Sequence, residues 1–485
     1  MAKSINFGRL DSESSQRSEG NEAAVVFVHG FTGDWQKTWG RIPEFLMADP
    51  RLNGWDLFGF GFESRRRFDL LGLWSADAAL PEIAIKLYTT ISTEMPTGKY
   101  RAIALVAHSM GGLVVQEAVT KYADLRTRTT HIVLFGTPSA GLAKADKLSF
   151  VKQQIENMRS DGDFIKSLRA RWTEQRLDTG PALRFLTVAG ELDQFVPPSS
   201  SLAPFAESTR RVVPGNHLSM LDVSAPEDPS VRVLTEGLTG GAALAGPRNA
   251  ARVATEIGEF AQLAERLWPT GASMPTGLDD AGAVDLAVAL EQLGRASDAI
   301  AVLSSHKPQG TDVLGVLAGR LKRRWLLNRA EADYESAANL YQQAYEQATG
   351  SVPPDSDQAY YHGINLAFLE LAHAQNYAAA IQKARKLATD VLNYCEKAQD
   401  PRQELWRAAT EGDALTILGR WEEALQKHRK VRGMNPKPWQ VLSIEEQAIR
   451  TARAAGRSEE EVKVLADIYE GQGDTEAVSV SVPGQ

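Results

Sequence analysis

Val106-Ala107-His108-Ser109-Met110-Gly111-Gly112 is the stretch that decides how the first half of this chain is read. An apolar run, Arg101 to His108, leads into it, and a stretch with helical spacing, Gly111 to Tyr122, leads out. Small residues at Ala107 and Gly111 allow a sharp strand-to-helix turn without Cβ collisions, leaving Ser109 at the tip of a nucleophile elbow. The first backbone N–H groups of the helix would face that serine and favour developing negative charge. Alanine at 107 departs from the glycine of the commoner G-x-S-x-G pattern, but it is small enough for the same turn.

Outward from the elbow, further apolar runs lie at Ala24 to His29, Trp55 to Phe62, His131 to Gly136, Phe185 to Gly190 and Arg210 to Val213. Amphipathic stretches such as Ser75 to Glu94 separate them, which predicts an α/β fold with a mostly parallel sheet covered by helices. VVFVHG and AIALVAH are apolar at nearly every position, so both faces of those strands are expected to be buried. Gly141 to Leu177 is a helix-rich insertion, to be read either as a cap over a pocket or as two ordinary crossover helices.

A serine hydroxyl is a weak nucleophile until a positioned base takes its proton, and histidine has the suitable pKa and reach. Of the eight histidines, His29, His108 and His131 fall in or at the ends of strands. His306, His362, His373 and His428 belong to the helical second half. His217, in VVPGNHLSM, stands in a loop after the last strand and is the candidate base. A carboxylate to orient its imidazole is expected between Ser109 and His217 in chain order, at a strand end. Asp193, in FLTVAGELDQFVPP, is preferred over Glu191 and Asp222 because the following VPP locks its loop. Backbone N–H groups of Phe31, in HGFTGD, and of Met110 are the candidate oxyanion donors, each worth roughly 3 to 4 kcal/mol in the transition state.

Composition changes after Leu238. TGGAALAGPRNA and PTGASMPTGLDDAG are Gly/Pro breaks on either side of one helix, Arg252 to Trp268. From about Ala281 to Tyr469 the strand signal disappears and a weak repeat shows through in AVALEQLGRASDAIAVL, LAFLELAHAQNYAAAIQKA, ALTILGRWEEALQKH and IRTARAAGRSEEEVKVL. That is the pattern of stacked helical pairs. The expected organisation is a flexible segment 1–23, an α/β domain 24–240 with the 141–177 insertion, a linker 241–280 with one helix, an all-α helical-repeat domain 281–470 and a disordered tail 471–485.

A chain of 485 residues exceeds what one core usually organises. Its net charge of −8 gives no general attraction to phosphate backbones, so nucleic acid is not an expected partner. One cysteine, Cys395, forms no intramolecular disulfide and builds no cysteine-based metal site, which favours a cytoplasmic setting. No signal peptide and no transmembrane segment are expected, though transient contact with a membrane surface is compatible with the sequence.

HG near the start, A-H-S-M-G-G at the elbow, GTP after the next strand, G-x-x-D-x-x-V-P and a late G-N-H together resemble the α/β-hydrolase superfamily over residues 24–240. VVFVHGFTGDWQKTW, LFGFGF and VAHSMGG most resemble its lipid-remodelling and inositol-deacylase-like serine esterases, which implies a lipid or other hydrophobic ester substrate. LGRASDAIAVL and LGRWEEALQKH resemble tetratricopeptide-type (TPR-like) repeats. DSDQAYYHGINLAFLELA resembles a segment of the helical TRAF-binding domain of upstream MAP kinase kinase kinases. Both helical resemblances imply a protein partner. The expectation is a serine esterase or lipase working through an acyl-serine on Ser109 with His217 and Asp193, needing no metal or organic cofactor. Two other readings stay open: a catalytically inactive hydrolase-fold scaffold, and a bacterial defence-type effector lipase.

Overall fold

Strands in the N-terminal half alternate their side chains between two apolar layers, and that alternation builds the sheet. The computed structural model describes residues 5–9, 21–29, 38–62, 80–141, 162–179, 183–240, 249–307, 309–373 and 378–470. The chain divides into two units, Met1–Leu244 with Asn249–Glu265, and Ala245–Arg248 with Arg266–Gln485. In the first unit the strands are β1 (Ile5–Arg9), β2 (Ala23–Val28), β3 (Trp55–Phe62), β4 (Ala102–His108), β5 (Thr129–Phe135), β6 (Arg184–Gly190) and β7 (Arg210–Val213). Their order is β1-β3-β2-β4-β5-β6-β7. β1 is antiparallel to β3, and the other neighbouring pairs are parallel.

Helices of this unit are α1 (Ile42–Ala48), α2 (Leu80–Glu94), α3 (Met110–Lys121), α4 (Ala123–Arg128), α5 (Asp163–Glu174), α6 (Pro198–Leu202), α7 (Pro229–Thr239) and α8 (Ala250–Leu267). Ala24, Val26 and Val28 of β2 join Ile103, Leu105 and Ala107 of β4 in one buried cluster with α2, α3 and α5. The intervening Ala23, Val25 and Phe27 join Ala102, Ala104 and Val106 in another, with α1, α7 and α8. Both faces are therefore covered, as continuous apolar runs in a parallel sheet require.

The chain passes from β2 to β3 on one side, then to β4 on the other, so strand order reverses between β2 and β4. Their connections leave for opposite faces, through α1 and α3. A crevice opens at the carboxyl ends of such a strand pair, and β4 ends one residue before Ser109.

One expectation meets a different outcome, and two gain detail. Ile5–Arg9, placed in the flexible segment 1–23, is an edge strand. A five-residue strand beside polar sequence gives almost no period-2 signal, and its partner comes from residues about fifty positions later. The helix expected inside the 241–280 linker is α8, and it packs on the first unit through Ala251 and Ala254. Small residues spaced three apart bring a helix close to a sheet, but the same residues read as linker composition. Within the 141–177 insertion, α5 buries Ile165, Leu168 and Trp172 in the core. Its Arg169 and Arg171 bond Gln116 and Glu117 of α3. That half is a crossover helix. Residues 142–161 of the cap reading lie outside the described residues, as do Phe31, 241–248 and the 471–485 tail.

The second unit is helical: α9 (Asp280–Gln292), α10 (Ala296–Ser305), α11 (Thr311–Asn328), α12 (Glu331–Gly350), α13 (Ser356–His373), α14 (Ala378–Lys397), α15 (Glu404–Ile417), α16 (Trp421–Gly433), α17 (Pro438–Ala454) and α18 (Glu459–Glu470). Its repeat has a shared local cause. Gly294, Gly419 and Gly456 hold φ values of 72°, 83° and 79° at the turns of three helix pairs. The following Arg295, Arg420 and Arg457 each donate their N–H five residues back, to Leu290, Leu415 and Ala452 at 2.7, 2.9 and 3.0 Å. This 6→1 bond over a left-handed glycine is a Schellman motif. The G-R pairs in the sequence mark where one helix stops and the next is turned back against it.

Four buried histidines make both units sensitive to acid. Burial is the first cause that lowers His108 and His131 to about 3, and His362 and His428 to about 4. Unfolded histidine titrates near 6.5, so below about pH 6.5 the unfolded chain binds protons that the folded chain refuses. The stability is fully present above that pH and is lost as pH falls toward the folded values. At about pH 5 each histidine is expected to cost about 2 kcal/mol. Calorimetric Tm should drop steeply from about pH 6.5 to about pH 4; a flat Tm across that window contradicts the assignment.

Candidate active site

The elbow is built by close approach and backbone strain. Ser109 caps α3 at φ 57°, ψ −130°, a conformation that non-glycine residues adopt only where the surroundings hold it. Its N–H donates to the Phe135 carbonyl at 2.8 Å, which ties the elbow to the end of β5. A Cβ on Gly111 would collide with the His29 carbonyl oxygen, so glycine lets α3 start directly against the end of β2. Met110 is the first residue of α3, and its N–H has no carbonyl partner within the helix.

Acid and base arrive from β6 and β7, whose loops run side by side. Glu191 N–H donates to the Val213 carbonyl at 2.8 Å, and Leu192 N–H to Gly215 at 2.9 Å. Asp193 Oδ1 accepts from the N–H groups of Phe195 at 3.0 Å and Val196 at 2.8 Å. This leaves Oδ2 to accept from His217 Nδ1 at 2.8 Å. Because a carboxylate only accepts, Nδ1 carries the proton, and the Nε2 lone pair faces Ser109 Oγ at 3.0 Å. Asn216 Oδ1 caps the N–H groups of Leu218 and Ser219 at 3.0 Å each, which shapes the turn presenting His217.

The structure thus brings Ser109, His217 and Asp193 into one hydrogen-bonded line, with the Asp193 side chain fully buried and that of His217 15% exposed. Glu191 and Asp222, the competing carboxylates, are exposed. The Phe31 donor lies outside the described residues.

Two contributors were not legible as such. β7 is three strands from β4, roughly 14 Å at the usual strand spacing, so the Asp193 and His217 side chains must cross the end of β5. They cross over Gly136, at φ 51°, where a Cβ would stand 3.2 Å from His217 Nδ1 and 3.3 Å from Asp193 Oδ2. In the sequence the GTP after β5 carries meaning only as part of a resemblance. His108, at the end of β4, sits beneath the base: its ring is 4.7 Å from that of His217, and its Nε2–H donates to the His217 carbonyl at 2.9 Å. Its place directly before the serine was the available signal.

Replacing His108 with phenylalanine is expected to lower kcat for an ester roughly 10-fold with little change in KM, by freeing the His217 backbone. Glutamine, which can donate to the same carbonyl, should restore part of the loss. Equal kcat in all three proteins would show that the bond does not position the base.

Three large apolar side chains stand exposed beside the line. Leu192, Phe195 and Leu218, on the loops that carry Asp193 and His217, are 66%, 55% and 71% exposed, and the Phe195 ring is 4.9 Å from that of His217. Among the described residues no group of three or more His, Cys, Asp or Glu side chains is placed to hold a metal ion, and no helix is long and apolar enough to cross a membrane.

Comparison with known proteins places these observations. No curated protein matches the chain. Among solved structures it is similar to phospholipase PlaB from Legionella pneumophila in complex with thio-NAD, at 19% identity over 36% of this chain and 38% of that one, TM-score 0.28. A second PlaB structure matches at 13% identity over 50% and 65%, TM-score 0.35. The match therefore spans less than two thirds of either PlaB chain. A thermophilic esterase from Thermogutta terrifontis matches at 18% identity over 49% and 92%, TM-score 0.30. Residues 259–370 match the family model described as Tetratricopeptide Repeats-Sensor. Residues 25–284, more than half of the chain, match that of the alpha/beta hydrolase family, so this protein belongs to the alpha/beta hydrolase family and joins that fold to a TPR-like helical region.

Proposed function

We propose that this protein is a serine esterase that cleaves a lipid-like or otherwise apolar carboxylic ester through an acyl intermediate on Ser109. The observation that carries the reading is the line Asp193 Oδ2, His217 Nδ1–H, His217 Nε2 and Ser109 Oγ, with links of 2.8 and 3.0 Å. His217 takes the hydroxyl proton as Oγ bonds the ester carbonyl carbon, and returns it to the leaving alkoxide as the C–O bond breaks. Water, activated by the same imidazole, then releases the acid and restores the hydroxyl. Asp193 holds the tautomer and stabilises the imidazolium. The N–H groups of Met110 and Phe31 hold the oxyanion in this proposal.

An apolar substrate is supported by Leu192, Phe195 and Leu218 exposed beside the line. The TPR-like region, in this reading, holds a protein partner that recruits or regulates the enzyme in the cytoplasm. A fluorophosphonate probe tests the chemistry, because only an activated serine is labelled. One label per chain, lost with Ser109→Ala, is the expected result. No labelling of the folded protein would favour the scaffold reading.

A further inference from the structure

The helical unit contains a partly open cavity of about 670 Å³, well within the range of small-molecule sites. Its charges are unevenly matched. Arg320 and Arg323, both on α11, pair with Glu291. Lys322, between them in sequence, has no carboxylate within ion-pair distance among the described residues. Its ammonium donates to two neutral amides, Asn365 Oδ1 at 2.5 Å and Gln447 Oε1 at 2.8 Å, and lies 5.2 Å from the Phe368 ring.

Asp413, on α15, lines the same cavity and is 6% exposed. Its Oδ1 has no hydrogen-bond partner among the described residues, and it makes no ion pair with Lys322. Burial pushes Lys322 down to about 7 and Asp413 up to about 7, against the attraction each exerts on the other. Trp406 and Trp439, with ring centroids 5.6 Å apart, add an aromatic wall.

Buried polar groups are ordinarily satisfied, and an unpaired buried charge is costly. A cavity that holds an ammonium and a carboxylate without an ion pair between them, the carboxylate Oδ1 unbonded, is complementary to a ligand carrying the opposite charges in reverse order. We propose that this cavity binds a small zwitterion of amino-acid type. Its ammonium group donates to Asp413, its carboxylate accepts from Lys322, and its side chain lies against Trp406 and Trp439. The volume admits an amino acid or a dipeptide.

The test uses the full-length chain in a thermal-shift screen against the twenty L-amino acids and a dipeptide panel. Acetate, methylammonium and adenosine triphosphate serve as single-charge and nucleotide controls, and hits are measured by calorimetric titration. At least one zwitterion is expected to raise Tm, with the controls inert. Lys322→Met and Asp413→Asn should each weaken its Kd at least about 10-fold, the loss of one charge-assisted bond. Ser109→Ala should bind it unchanged, which separates this site from the ester chemistry.

Should a single variant fail to fold, Lys322→Met/Asp413→Leu decides. Removing both charges is expected to keep or raise the Tm of the unliganded chain while abolishing the ligand response. No shift with any zwitterion, a shift by adenosine triphosphate alone, or a ligand response that survives the double replacement would overturn the proposal.

Discussion

Ser109→Ala is expected to lower kcat for p-nitrophenyl butyrate by about 10⁶-fold while leaving the protein folded, because the nucleophile and its base act as one unit. Ser109 is only half-buried, and its backbone is held by the Phe135 carbonyl and by the packing of α3 on β2. None of those contacts uses Oγ, so the far-ultraviolet circular dichroism of the variant should match the parent. His217→Ala should fall to a similar floor, and the double variant should be no worse than either. That non-additivity distinguishes a concerted pair from two independent contributors. A folded Ser109→Ala protein that turns over the ester as fast as its parent ends the proposal.

Asp193→Asn should cost about 10⁴ in kcat, the size seen when the orienting carboxylate of such a triad becomes an amide. The geometry supplies the reason. Oδ1 accepts two backbone N–H groups, from Phe195 and Val196, so the amide oxygen is forced into that position and the NH₂ faces His217 Nδ1. Nδ1 must then accept, its proton moves to Nε2, and the lone pair that should receive the serine proton is gone. KM for the ester should change little, since Asp193 is buried away from substrate. Glu191→Gln and Asp222→Asn, at exposed positions, should retain parental rates. A large loss in either, with Asp193→Asn active, would reassign the acid.

How far the chain could be read follows from what each signal depends on. Parallel strands buried on both faces show as unbroken apolar runs, so six of the seven strands, the covered sheet and the helical second half were visible locally. Only their ends moved by a residue or two. β1 escaped because its pairing with β3 is non-local and its length is five residues. α8 was legible as a helix, but its packing on the sheet was not, because small residues serve equally in a loose linker and on a close-packing helix face. At the site, chain order and motif context singled out Ser109, Asp193 and His217 as candidates. Motif context favoured Asp193 over Glu191 and Asp222, but it did not show that His108 grips the His217 carbonyl.

Most strands, helices and turns are local properties of this chain, because they rest on side-chain periodicity and on glycine and proline at fixed offsets. Tertiary structure alone decided what meets what: the crossing of Asp193 and His217 over the bare Cα of Gly136, and the separation of Lys322 from Asp413 in the helical unit. Such contacts join residues 24 to 109 positions apart, and they depend on strand order and helix stacking, which no local pattern encodes.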